Sequence, residues 1–133
     1  MKYIKLIIFT ICFVTFFVQC SGDARVQKEL EKYAEEQNAV YPIKIDDVTT
    51  LNSCEALPNK TLRYNYNILM DKSQVDTLLV KASLKVSLLS LLKVDPGTAY
   101  LRKSAAIFEY RYYDNNGNYA FQLVISPEDY KQK

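Results

Sequence analysis

The longest apolar stretch of the chain lies at its N-terminus. Met1–Lys5 carries two lysines, Leu6–Val18 is apolar except for Thr10 and Thr15, and polarity returns at Gln19–Asp23. A basic start, an apolar run of about 13 residues and a small-residue exit are typical of a secretory signal. The run is shorter than the roughly 20 residues that a membrane-spanning helix needs. The pattern therefore predicts an exported protein with a signal peptide at residues 1–19.

The next segment, residues 21–40, is rich in charge and predicts an N-terminal charged helix or tether. Its apolar residues recur at helical spacing and form one narrow stripe, made of Val26, Leu30, Tyr33 and Ala34. Lys32 lies three and four residues before Glu35 and Glu36, a spacing that gives a helix modest support. Pro42 opposes continuation of the helix beyond Tyr41.

Two segments with strand periodicity follow, at residues 45–53 and 61–70. In the second, apolar Leu62, Tyr64, Tyr66, Ile68 and Met70 alternate with mostly polar residues. The turn formers Pro58 and Asn59 lie between the two segments, which predicts an antiparallel hairpin.

Residues 75–94 fit both periodicities, but the run is too long for a strand and predicts a helix. Ser73 is a plausible N-cap, and Asp95-Pro96-Gly97 ends the segment. At 100° per residue one continuous apolar stripe is expected to face the core, made of Val75, Leu78, Leu79, Ala82, Val86 and Leu89. A second stripe is made of Val80, Leu84, Leu88 and Leu91. The second stripe is either covered by the first helix or a loop, or offered to a partner.

Residues 105–113 and 118–126 predict a second hairpin around Asn116-Gly117, a dipeptide that favours a type I′ turn. With Asn116-Gly117 as a two-residue loop, Tyr112 faces Phe121, Tyr110 faces Leu123, and Phe108 faces Ile125. A slip of one residue would mix the apolar and polar faces, so the pattern supports this register. The complete prediction is an α+β domain in the order helix, hairpin, helix, hairpin, with a four-stranded antiparallel sheet and the helix at 75–94 packed on its apolar face.

Composition limits the chemistry of the mature chain, residues 20–133, which has the length of a single domain. Removing residues 1–19 removes Lys2 and Lys5 and leaves 15 basic and 15 acidic side chains, a balance that argues against nucleic-acid binding. The chain has no histidine, so it lacks the usual general base and the commonest metal ligand. We expect no cofactor, no metal and no catalytic residue. Asp46 and Asp47 are adjacent and would point to opposite faces of a strand. Glu109 and Arg111 are expected to pair on the exposed face of the sheet.

Cys20 lies where the signal of a bacterial lipoprotein would place its lipidated cysteine. Gln19 departs from the small residue usual before that cysteine, so cleavage after Gly22 and an uncleaved signal anchor remain alternatives. Lipidation of Cys20 would hold the domain on a membrane surface. Cys54 is then the one cysteine left in the domain, and it is expected to be a small buried residue.

Several short segments together resemble a family of small exported bacterial proteins without an established activity. These segments are Asp46–Leu51, Tyr64–Tyr66, the Leu-rich segment up to Pro96, Tyr110–Asp114 with Gly117, and Ile125–Asp129. Members of that family often place cysteines at positions that correspond to about Lys93 and Tyr130. The disulfide that the resemblance implies is therefore absent from this chain, and the resemblance carries over no functional residue.

These observations predict a non-enzymatic, lipid-anchored protein of the cell envelope that binds another protein. Cys20 is the expected lipidation site, and Val80, Leu84, Leu88 and Leu91 are the expected partner-binding residues. The alternative function is small-ligand binding by the tyrosine-rich sheet face, with Tyr64, Tyr66, Tyr110 and Tyr112 around a concavity. The alternative location is a soluble periplasmic or secreted one.

Overall fold

The computed structural model describes residues 22–131, so the predicted signal peptide and Cys20 lie outside the described residues. Helix α1 covers residues 22–38. The strands are β1 (Ile43–Lys44), β2 (Thr49–Leu57), β3 (Thr61–Ile68), β4 (Ile107–Tyr113) and β5 (Tyr119–Ile125). The other helices are α2 (Thr77–Val94), α3 (Ala99–Lys103) and α4 (Pro127–Lys131), and a short 3₁₀ turn, Lys72–Gln74, precedes α2.

The strands form a five-stranded mixed sheet in the order β1-β2-β3-β4-β5. Both predicted hairpins are present, but the prediction of four antiparallel strands is wrong in two respects. The short strand β1 adds an edge to β2, and β3 pairs with β4 in parallel. The parallel pairing follows from the α2–α3 connection, which returns the chain to the end of the sheet where β3 began. A long crossover of this kind is what joins parallel strands.

The register predicted for the second hairpin is confirmed. Phe108 pairs with Ile125, Tyr110 with Leu123, and Tyr112 with Phe121. A type I′ turn needs a positive φ at both Asn116 and Gly117. Here Gly117 has a positive φ, of 78°, and Asn116 does not, so the turn differs from the predicted type. A bulge after Tyr112 restores the register that the side-chain pattern requires.

The core lies on one face of the sheet. Leu62, Phe108 and Ile125 are fully enclosed there, and Leu30 of α1 closes over them as one apolar cluster. The other face is polar: the Nε of Arg63 donates to the carboxylate of Glu109 at 2.8 Å, and Arg111 donates to Gln122. The expected pair between Glu109 and Arg111 is therefore wrong, since parallel pairing puts Arg63 directly beside Glu109. A sheet with one covered face places the molecule's helices, and any groove between them, on the apolar side.

Helix α2 packs on the apolar face mainly with the second stripe, and of the stripe predicted to face the core only Leu89 lies among the helix residues packed there. Asp76 caps the helix by accepting from the N–H groups of Leu78 and Leu79. Leu92 is buried, and the side chains that are partly buried against the core are Val80, Leu84, Leu88 and Leu89. The side chains of Leu78 and Leu79 are 81% and 71% exposed. The period of a helix that is apolar on two sides does not determine which side packs on the sheet. Here most of the second stripe packs on it.

Candidate functional site: an apolar groove beside α2

An open groove lies between α2 and the sheet, with a volume of about 680 Å³. We call it the α2 groove. One wall is the helix and the residue that follows the 3₁₀ turn before it, with Leu79, Val80, Leu84, Leu88 and Leu91 from α2 and Val75 from the 3₁₀ end. The floor and second wall come from the sheet and the β1–β2 turn, with Ile45, Val48, Tyr66, Ile68, Met70, Tyr112 and Phe121. Ser83, Ser87, Asp46 and Thr49 complete the lining.

Large apolar side chains stand open to solvent on both walls of the α2 groove. On the helix side, Leu79 is 71% exposed and Leu91 is 66% exposed. On the opposite side, Ile45, Val48 and Met70 are exposed as well. Single exposed apolar residues are ordinary on a protein surface, but a contiguous apolar concavity marks a place where a ligand or partner binds.

The floor of the groove is a rigid aromatic stack. The rings of Tyr66 and Tyr112 lie 4.8 Å apart on adjacent strands, and Tyr112 stacks on Phe121 at 4.5 Å. Burial raises the pKa of Tyr66 well above its usual value and raises the pKa of Tyr112 to about 12. Both phenols therefore stay neutral at physiological pH, and the floor presents no charge to an occupant.

The β1–β2 turn is held in shape by Asp46. Its carboxylate accepts from the backbone N–H groups of Val48 at 2.8 Å and Thr49 at 2.7 Å. These hydrogen bonds, first of all the one from the backbone N–H of Val48, hold the pKa of Asp46 below its usual value. The turn presents Ile45 and Val48 to the groove, and Asp46 is the charged residue in the lining.

The structure brings the predicted partner-binding residues together. Val80, Leu84, Leu88 and Leu91 all line the α2 groove, and of these Leu91 is the most exposed. The sequence reasoning missed the residues that build the facing wall, Ile45, Val48 and Met70, and it assigned Leu79 to the core. The available signal for the facing wall was the pair of apolar residues on either side of Asp46-Asp47 in a turn.

The four predicted ligand-binding tyrosines separate into two groups. Tyr66 and Tyr112 form the groove floor, whereas Tyr64 and Tyr110 are buried next to them and do not line it. The rings of Tyr64 and Tyr110 stack at 5.3 Å, and the hydroxyl groups of Tyr33 and Tyr64 lie 3.2 Å apart. This second group holds α1 on the sheet.

The remaining reactive groups are in structural positions. Cys54 is buried, and burial raises the pKa of its thiol to about 12, so it stays protonated. The side-chain amide of Asn38 donates to the carbonyl of Cys54 and accepts from its N–H, both at 2.8 Å.

Within residues 22–131, no group of three or more His, Cys, Asp or Glu side chains is arranged to hold a metal ion. No helix of that same range is long and apolar enough to cross a membrane.

A family profile described as Domain of unknown function (DUF8479) matches residues 23–121, which include nearly all of α1, every residue that lines the α2 groove, the first hairpin and the second hairpin up to Phe121 in β5. The match agrees with the resemblance to a family of small exported proteins without an established activity. No curated protein matches the chain.

Solved structures with the same fold have very different sequences. A Pseudomonas aeruginosa protein described as secreted superposes with a TM-score of 0.70 at 16% identity, over 81% of this chain and 95% of that one. The pilotin EpsS of the Vibrio vulnificus type 2 secretion system gives 0.64 at 9% identity, over 85% and 98%. The type II secretion system pilotin AspS of Vibrio cholerae gives 0.65 at 8% identity, over 84% and 97%. At these identities the similarity establishes the fold.

Proposed function

Since the chain belongs to the family Domain of unknown function (DUF8479), we propose its function from the structure: it is an exported envelope protein that binds another protein through the α2 groove. The protein acts by binding, without catalysing a reaction. A lipid on Cys20 attaches it to a membrane, and the folded domain presents the groove to its partner.

The observation that carries this proposal is the exposure of apolar side chains on both walls of one groove. Leu79 and Leu91 of α2 line it together with Ile45, Val48 and Met70, and all five are exposed. Each Å² of apolar surface that a partner removes from water contributes about 25 cal/mol. The exposed ion pairs of the charged helix α1, such as Lys32–Glu36 at 3.9 Å, contribute about 0–1 kcal/mol each. The groove is therefore the surface with the stronger drive to association.

The similar structures support this class of function. Two of them are pilotins of type II secretion systems, and the third is described as secreted. Belonging to a secretion system agrees with an exported domain whose main surface feature is an apolar groove. The N-terminal sequence, with Cys20 directly after the apolar run, supports the lipid attachment.

The test uses two neighbouring leucines that differ in one respect. Leu78 and Leu79 are both largely exposed, but only Leu79 lines the groove. The full chain, its Leu79→Asp variant and its Leu78→Asp variant are each used to capture proteins from the native envelope after crosslinking. We expect a partner that the wild-type chain and Leu78→Asp capture and that Leu79→Asp loses.

Equal capture by both variants would show that the groove is not the binding surface. Circular dichroism of both variants checks that the fold is retained, which their exposure predicts. Leu84 is unsuitable for this test, because it packs against the core and Leu84→Asp would destabilise the domain itself.

A second candidate function is the binding of a small apolar ligand. Tyr66 and Tyr112 line the floor, and a volume of about 680 Å³ lies within the usual range of small-molecule pockets, about 300–1,000 Å³. Solvent extraction of the purified native protein, followed by mass spectrometry, separates the two functions. A stoichiometric small molecule that Leu79→Asp no longer retains would favour the ligand over the protein partner.

A further inference from the structure

The two ends of the sheet can be placed along the strands. The β2–β3 turn at Pro58–Lys60, the start of β4 and the end of β5 lie at one end, because Thr61 pairs with Ile107 and Phe108 with Ile125. The β1–β2 turn, the end of β3 and the β4–β5 turn lie at the other, where the N–H of Asn115 donates to the carbonyl of Met70. The eight residues of β3 separate the ends by roughly 25 Å. The α2 groove opens at the second end, which we call the groove end.

The first end is where the described chain begins. Asp23 lies 3.7 Å from the Nζ of Lys60, and Ala24 and Gln27 share a shallow surface hollow with Pro58 and Asn59. The segment before residue 22 contains the apolar run at residues 6–18. Any membrane attachment through that segment or through Cys20 therefore brings this end close to the membrane. We call it the tether end.

The tether end is basic. Exposed cations come from three separate elements: Arg25 in the first turn of α1, Lys103 at the end of α3 and Lys131 at the end of α4. Lys60 adds a partly exposed ammonium group at the β2–β3 turn. The acidic residues at this end are Asp23, which faces Lys60, and Glu128, while Asp129 is paired with Lys85 at 3.0 Å. Two positions farther along the strands, Glu55 and Glu109 are both paired with Arg63.

The groove end has the opposite charge. Its acidic residues are Asp46, Asp47, Asp71, Asp76 and Asp114, and its basic residues are Lys44, Lys72 and Arg111, which lies over the ring of Tyr119. Lys44 is already paired with Asp47, at 3.4 Å. The mature chain has no net charge, so this separation along the strands comes from the fold and not from composition.

We propose that the tether end is a docking surface for a membrane with anionic lipid headgroups, so that the groove points away from the membrane. Lysine and arginine side chains close to an anionic leaflet are attracted to it, and the attraction decays over a Debye length of about 8–10 Å. The acidic groove end would be repelled if it came within the same distance of that surface. The inference rests on the membrane attachment in the proposed function, but it does not depend on what binds in the groove.

The absence of tryptophan from the chain makes the orientation measurable. The full chain is reconstituted into phosphatidylcholine vesicles with and without phosphatidylglycerol, with a nitroxide quencher on some headgroups. Ala24→Trp and Pro58→Trp report on the tether end, and Asn115→Trp reports on the groove end. In anionic vesicles we expect quenching at positions 24 and 58 to be several times stronger than at position 115.

Charge variants separate the basic surface from the tether alone. Lys103→Gln with Lys131→Gln removes two exposed cations from the tether end, and Lys44→Gln with Lys72→Gln removes two from the groove end. We expect only the first pair to lower the quenching at position 58 in anionic vesicles to the level seen in neutral vesicles.

Three results would overturn the inference. Equal quenching at the two ends would show that the domain has no fixed orientation. An orientation that is the same in neutral vesicles and unaffected by Lys103→Gln with Lys131→Gln would show that the basic surface does not contribute. Failure of the full chain to associate with either vesicle would reject the membrane attachment in the proposed function as well, and is distinguished from the other results by flotation.

Discussion

At the scale of single residues, Asn38 shows how one side chain completes the sheet edge. Strand β1 has two residues and covers β2 only at Thr50 and Leu51. Farther along the same edge, the amide of Asn38 makes both hydrogen bonds that a neighbouring strand would have made with Cys54. Because Asn38 is the last residue of α1, these bonds also fix the end of the helix against the sheet.

We expect Asn38→Ala to lower the free energy of unfolding by about 1–2 kcal/mol, because it leaves the N–H and carbonyl groups of Cys54 without their partner. Urea denaturation measures the change. Asn115→Ala, at an exposed turn position, is the control and should change the free energy by less than about 0.5 kcal/mol. An equally small change for Asn38→Ala would mean that water replaces the amide at no cost.

At the scale of elements, the sequence predicted what is local and missed what is not. The second hairpin was predictable in register because its alternating pattern allows one pairing, and the bulge after Tyr112 keeps that pairing although the turn type differs. The pairing of β3 with β4 was not predictable, because the apolar face of each strand suits parallel and antiparallel pairing equally well. The ion pair between Arg63 and Glu109 depends on the register of β3 against β4. No local sequence pattern determines that register.

The parallel join between β3 and β4 gives a second prediction, through Tyr110. Its ring is 5% exposed, stacks on Tyr64 at 5.3 Å and lies 6.5 Å from Tyr66. We expect Tyr110→Ala to destabilise the domain by about 3–5 kcal/mol, as deletions of large buried aromatic side chains do. Tyr119, at the start of β5, is 51% exposed and provides the control. A loss below about 1 kcal/mol for Tyr110→Ala in denaturant melts would show that this face is not the core.

At the scale of the whole molecule, the groove arises because α2 and the β1–β2 turn do not pack against each other. Leu84, Leu88 and Leu92 bring α2 onto the sheet, and the helix leaves Leu79 and Leu91 facing the β1–β2 turn across open space. The sequence showed two apolar stripes on α2, but only the packed structure decides which stripe is buried. Val80, Leu84, Leu88 and Leu91, predicted from the sequence to bind a partner, all line the groove, and their role in binding stays a prediction. The facing wall and the position of Leu79 were not predicted.

The position of the groove has a consequence for the proposed anchor. The chain enters the described domain at the tether end, and the groove opens at the opposite end of the strands. A short N-terminal attachment therefore leaves the groove accessible, whereas an attachment near the groove would block it. This arrangement is compatible with the proposed attachment at Cys20, just before α1.

We expect Cys20→Ser to release the protein from the membrane fraction or to leave it unprocessed, because a serine cannot form the thioether that carries the lipid. Cys12→Ser, which removes a thiol within the same N-terminal segment, is the matched control and should leave the protein in the membrane fraction. Intact-mass measurement of the mature wild-type protein should show added acyl mass on a chain that begins at Cys20. A mature chain that begins at Asp23 without acyl mass would contradict the anchor. The domain would then reach its partner as a free exported protein, and the groove alone would determine where it binds.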